Sequence, residues 1–112
     1  MQFVYLPVFV KRLKELSKKY ISIKNDFSSL LKELEENPAS GTSLGKGCYK
    51  VRLAIKSKNR GKSGGARIIT HVKIESDTVY FLTIYDKADQ DSLPDGELKT
   101  FLKYIEKIRP TK

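Results

Sequence analysis

Cysteine occurs once, at Cys48, histidine once, at His71, and tryptophan not at all. A lone cysteine can close no internal disulfide and cannot build a Cys-based zinc cluster. Neither a secreted disulfide scaffold nor a structural zinc module is therefore expected, and a reducing cytoplasm is the compartment that fits. A lone histidine excludes acid–base schemes that need two imidazoles. Long hydrophobic runs are missing as well. The apolar stretch Phe3–Val10 is far too short to cross a bilayer, and positive charge follows rather than precedes it, the reverse of a secretory leader. The most informative gap is in acid: between Asn37 and Ile74 there is no Asp or Glu.

What fills that gap is base. The stretch carries Lys46, Lys50, Arg52, Lys56, Lys58, Arg60, Lys62, Arg67 and Lys73, so the net charge of +9 lies entirely in this third of the chain. A field concentrated in this way suits a polyphosphate or an acidic protein partner, whereas a merely solubilising surface has no need to exclude acids. The 112 residues, 39% of them apolar, make one domain (1–112) with a core of its own.

The hydrophobic pattern predicts a short strand over Gln2–Leu6, then a helix that Pro7 can open at no hydrogen-bonding cost. Phe9, Leu13, Leu16 and Tyr20 recur at helical spacing, and Ser22 can cap a second helix whose stripe is Phe27, Leu30, Leu31 and Leu34. Asn37-Pro38 stops it. An antiparallel pairing of the two would set Glu33, Glu35 and Glu36 beside Lys11, Arg12 and Lys14. After a Gly- and Ser-bearing connection, Ala39–Gly47, the period changes to two. In Cys48–Ile55 one face holds Tyr49, Val51, Leu53 and Ile55, and the other holds Cys48, Lys50, Arg52 and Ala54. Ala66–Ile74 alternates again, with Arg67, Ile69, His71 and Lys73 on one side. Thr78–Tyr85 is a third strand, and Leu98, Phe101, Leu102, Ile105 and Ile108 stripe a last helix. The order β-αα-βββ-α predicts an α+β fold: an N-terminal strand, a helical hairpin, three antiparallel strands and a C-terminal helix, with helices packed on the sheet.

Lys50 and Arg52 share a strand face two positions apart, and a hairpin between the two basic strands lets Arg67 join them. Three cations on one face repel unless an anion sits among them; a phosphodiester suits, and arginine meets it with a planar fork. Tyr85 and Lys87, two apart at the end of the third strand, could stack on a base or exchange a proton beside that phosphate, or Tyr85 could simply end the apolar face of Val79 and Phe81. Gly61-Lys-Ser-Gly-Gly65 lacks P-loop spacing and leads into a strand, so a basic loop tracking a nucleic-acid backbone is the expectation there. Asp86, Asp89, Asp91 and Asp95 match no EF-hand and read as dipole partners of the helix that follows; no metal is expected.

Three blocks, Gly47-Cys-Tyr-Lys-Val-Arg-Leu-Ala54, Gly61-Lys-Ser-Gly-Gly-Ala-Arg-Ile-Ile69 and Phe81-Leu-Thr-Ile-Tyr-Asp-Lys87, resemble the RelE/ParE superfamily of toxin–antitoxin toxins, nearest the RelE and HigB-like messenger-RNA interferases. The resemblance implies a ribonuclease-like α+β fold without metal or small-molecule cofactor. It implies a cytoplasmic toxin that enters the ribosomal A site and cuts messenger RNA by attack of a ribose 2′-hydroxyl on the adjacent phosphate. Lys50, Arg52 and Arg67 map onto the family's cations, with Tyr85 and Lys87 as the remaining catalytic candidates. Lys46, Lys56, Lys58, Arg60, Lys62 and Lys73 are then contacts to message and ribosomal RNA. A cognate antitoxin is implied as partner, covering the basic face with an acidic or amphipathic segment. Known RelE members carry a basic residue and an aromatic where this chain has the acidic, apolar run Ala88–Pro94. The alternatives are a ParE-like gyrase-inhibiting toxin without nuclease activity and a noncatalytic RNA-binding module.

Overall fold

A computed structural model describes residues 1–58 and 64–108. The elements run β1 (Gln2–Tyr5), α1 (Pro7–Lys19), α2 (Ile23–Glu36), β2 (Thr42–Gly45), β3 (Cys48–Leu53), a 3-10 turn (Lys56–Lys58), β4 (Ala66–Lys73), β5 (Thr78–Asp86) and α3 (Glu97–Ile108). The five strands form one sheet in the order β1-β5-β4-β3-β2. β2 to β5 are antiparallel neighbours, while β1 pairs in parallel with the first half of β5. The α+β architecture expected from the sequence is the one observed, with one more strand. The connection Ala39–Gly47 contains β2, an exposed edge strand whose four residues bury nothing and leave no hydrophobic pattern.

Each sheet face has its own cover. On one, Phe9 of α1, Phe27 of α2 and Phe81 of β5 stand mutually 5.3 Å apart, ring centre to ring centre, among Val51, Leu53, Ile68, Val79 and Ile84. Burying such a ring contributes about 2–3 kcal/mol, and each well-placed aromatic pair about 1 kcal/mol more. On the other face Phe101 and Ile105 of α3 pack with Leu6, Cys48, Ile69, Tyr80, Leu82 and Tyr85.

Two polar expectations are corrected. Ser22 does precede α2, but its hydroxyl makes no capping bond; it donates to Asp26 Oδ2 at 2.7 Å and accepts from the Ser57 amide at 2.8 Å. Arg12 does not serve the acids of α2. Its guanidinium reaches Thr83 Oγ1 at 2.6 Å and Glu97 at 3.5 Å, because α1 runs beside the half of β5 that β1 leaves uncovered.

Candidate active site

The register of the central strands decides which basic side chains meet. Arg52 of β3 lies directly opposite Arg67 of β4, and Arg67 lies directly opposite Tyr85 of β5. Directly opposed residues project to the same side of a sheet, so the three form one row across three strands. Lys50 stands on the same face one rung along, opposite Ile69. Like charges set directly across a ladder destabilise it. Arg52 and Arg67 are such a pair, and Arg67 is 95% buried.

Tyr85 reaches this row only because β5 is irregular. Ile69 pairs with Thr83 but Thr70 pairs with Phe81, so Leu82 is an extra residue, a β-bulge. Plain alternation would put Tyr85 with Val79 and Phe81. The bulge resets the phase, and Tyr85 joins the opposite cluster beside Ile69 and Leu82. The apolar-face reading of Tyr85 is thereby excluded. Burial raises its phenol above the ordinary value, against an opposing pull from Arg67, so it is a neutral hydrogen-bond donor near pH 7.

Lys87 follows the end of β5, its amide donating to the Gly65 carbonyl at 3.0 Å. Its ammonium forms an ion pair with Asp91, and the Tyr85 hydroxyl donates to the Asp91 carbonyl at 3.3 Å. The loop after β5 thus curls back until both site candidates hold one residue. The Lys87 hydrogen bond and charge hold the exposed Asp91 carboxyl below its usual range, and Lys50 and Arg67 act in the same sense. Asp91 is thus an ion-pair partner of Lys87 and not a dipole partner of the helix that follows, and its i,i+4 spacing from Lys87 is the signal of this in the sequence.

Behind the row is a polar network that the sequence did not announce. Asp86, with its side chain fully buried, accepts from Lys58 at 2.7 Å, Tyr20 at 2.6 Å and the Ala88 amide at 2.9 Å. Burial would raise this carboxyl, but the bonds from Lys58, Tyr20 and Ala88 outweigh it and hold it below the usual value. Asp86 therefore fixes the main chain between Tyr85 and Lys87.

The other basic candidates do not converge. Lys58 is absorbed in the Asp86 network, with a side chain only 10% exposed. Lys56 is exposed in the 3-10 turn. Lys46 lies in the β2–β3 turn with a left-handed φ of 55°, and Lys73 shares the Arg67 face roughly 20 Å further along β4. Arg60 and Lys62, with most of the Gly61–Gly65 loop, lie outside the described residues. Cys48 is fully buried with its sulfur 3.5 Å from His71 Nδ1, and burial pushes its thiol up to about 11, so it is protonated at neutral pH. Among the described residues no group of three His, Cys, Asp or Glu could hold a metal ion, and no helix is long and apolar enough to cross a membrane.

Comparison with known proteins gives concordant results. The family model described as the RelE toxin of the RelE/RelB toxin–antitoxin system matches residues 8–111. Among solved structures, a double mutant of E. coli toxin RelE in the free state superposes with a TM-score of 0.58 at 19% identity, covering 93% of this chain and 96% of that one. The isolated E. coli RelE toxin gives a TM-score of 0.57 at 18% identity, covering 93% and 97%. At these identities the likeness is one of fold.

Proposed function

Since the chain belongs to the RelE toxin family of RelE/RelB toxin–antitoxin systems, we propose that it is a ribosome-dependent endoribonuclease that cuts messenger RNA in the A site and so inhibits translation. The observation that carries this reading is the row Arg52–Arg67–Tyr85 with Lys50 beside it. In the reaction the ribose 2′-hydroxyl gives its proton to solvent as its oxygen bonds to the adjacent phosphorus, and the 5′-oxygen leaves, giving a 2′,3′-cyclic phosphate and a 5′-hydroxyl. Negative charge builds on the phosphoryl oxygens of the pentacoordinate transition state. Cations fixed on a rigid sheet stabilise that charge with little reorganisation. Lys50, Arg52 and Arg67 take this part; Tyr85, a neutral donor, orients a phosphoryl or sugar oxygen, and Lys87 supplies the proton to the leaving oxygen. No resident metal or cofactor enters the scheme. The partners are message on the ribosome and, in the resting cell, an antitoxin. The cytoplasm is where both are met.

The test is transcript 5′-end mapping after brief induction of the wild-type chain and of Arg67→Ala, with circular dichroism to verify that the variant is folded. The wild type should generate new 5′-hydroxyl ends within translated codons, and the variant should lower the cleavage rate about a hundred- to a thousandfold, the usual loss of one transition-state donor. Growth arrest with intact messages and disturbed DNA supercoiling would instead assign a gyrase target.

A further inference from the structure

The last rung of the β4–β5 ladder is Ala66 opposite Asp86, so Gly65 and Lys87 lie just beyond it, where strand ends fray. One ammonium stands across this open end. Lys58 Nζ donates to the Gly64 carbonyl at 2.7 Å, on the approach to Arg67, and to Asp86 Oδ1 at 2.7 Å, one residue before Lys87. The same Oδ1 accepts the Ala88 amide at 2.9 Å, so the carboxylate brackets Lys87. The ring of Tyr20, at the end of α1, lies 5.2 Å from the ammonium, and its hydroxyl donates to Asp86 Oδ2 at 2.6 Å.

We propose that Lys58 is a positioning residue for cleavage: by bridging Gly64 and Asp86 it fixes the place of the proton donor Lys87 relative to the phosphate-holding Arg67. The proposal rests on the nuclease reading above and gives a part to a lysine that touches no substrate. Lys58 belongs to the acid-free basic stretch, where an RNA contact is the expectation. Its ammonium is instead engaged by a carbonyl, a carboxylate and a ring, on a side chain that is almost fully buried. A phosphate could reach it only by displacing them. Stability does not account for the pair either. A buried ion pair replaced whole by apolar side chains is often as stable or more so; what the pair adds is a fixed direction and distance. Here that direction runs across the seam between two strands of the site. Register alone sets Arg67 against Tyr85, but Lys87 is past the last rung, joined to the Gly65 carbonyl by its amide at 3.0 Å. A displacement of about 1 Å among reacting groups costs roughly a hundredfold in rate, so the tie that Lys58 adds bears on kcat.

The experiment measures kcat and KM for cleavage of message on programmed ribosomes, at a temperature where circular dichroism shows each variant folded. Lys58→Met should lower kcat about a hundredfold and leave KM and the salt slope of RNA affinity unchanged. Lys58→Arg keeps a cation able to bridge two oxygens and should recover about tenfold or more of that loss. Lys58→Met/Asp86→Asn leaves no uncompensated buried charge, so it should fold and still show the roughly hundredfold loss. In a Lys87→Ala background the Lys58→Met change should cost less than about tenfold, because residues that act as one unit are not additive. A raised KM with kcat intact, and a salt slope shallower by about 0.7, would make Lys58 an RNA contact and overturn the proposal. An equal loss with and without Lys87, or full activity in the doubly changed pair, would make it a structural prop alone and overturn the proposal as well. If the wild type cuts no ribosome-bound message, the nuclease reading and the positioning role fall together, an outcome read from the wild type before any variant.

Discussion

Replacing Asp86 by asparagine removes a carboxylate that Lys58 approaches to 2.7 Å and Tyr20 to 2.6 Å, at a site where Asp86 is fully buried and Lys58 only 10% exposed. Removing one partner of a buried ion pair generally costs about 3–5 kcal/mol, because the other charge is left without compensation. Lys58 sits in a short surface turn and its stem can carry the ammonium outward, which places the cost near the lower end, about 3 kcal/mol. For a chain of 112 residues this is a fall in Tm of about 12 °C. The pair should also be coupled: Asp86→Asn with Lys58→Met should cost about 2 kcal/mol less than the two single changes added. A pH signature follows. Because the folded carboxyl titrates below its unfolded value, its stabilisation is complete above about pH 4 and is lost as pH falls through the folded value. Asp86→Asn should flatten that acid limb. Urea unfolding followed by circular dichroism between pH 2.5 and 7 measures all three quantities. A loss under about 1 kcal/mol with an unchanged acid slope would refute the buried-pair account.

Other outcomes can be checked together. About four phosphate contacts to a single strand predict a log–log salt slope of RNA affinity near −3, or roughly a 50-fold loss between 50 and 200 mM salt; filter binding with a 2′-O-methyl RNA measures it, and a flat response would speak for a protein target. Asp91→Asn removes a carboxylate that competes with phosphate for Lys87 and the neighbouring cations, so RNA affinity should rise severalfold at low salt and less at high salt. A Cβ on Gly65 would stand 2.0 Å from the Leu53 carbonyl oxygen. Gly65→Ala must therefore push β3 from β4 just before Arg67, and should lower both Tm and cleavage, whereas Gly45→Ala, with open space around it, should leave the strands in place and cost only the strain of its left-handed φ.

Much of this arrangement was legible in the chain itself, for a physical reason. Alternation in Cys48–Leu53 and Ala66–Lys73 is regular, so the common face of Lys50, Arg52 and Arg67 follows from period two once the strands pair. The helical stripes of Phe9, Leu13 and Leu16 and of Phe27, Leu30 and Leu34 are just as plain, since one face of each helix must be buried. What stayed hidden depends on partners distant in sequence. β2 is exposed at every residue, so burial stamped no pattern on it. The pairing of Arg12 with Thr83 and Glu97 spans 71 and 85 residues. The Asp86 network draws on α1, the 3-10 turn and β5 together, and a lysine that reads as an RNA contact in a basic stretch proves to be a strut.

The extra residue at Leu82 has a bearing on how relatives of this chain should be aligned. Residues before it and after it obey opposite parity, so a comparison that treats β5 as one unbroken zigzag would credit the face of Arg52 and Arg67 with side chains that belong to the aromatic core. A single gap opposite Leu82 brings the two halves into phase. Substitutions at Val79, Phe81 and Ile84 are then read against the helical hairpin, and those at Tyr80, Leu82 and Tyr85 against α3.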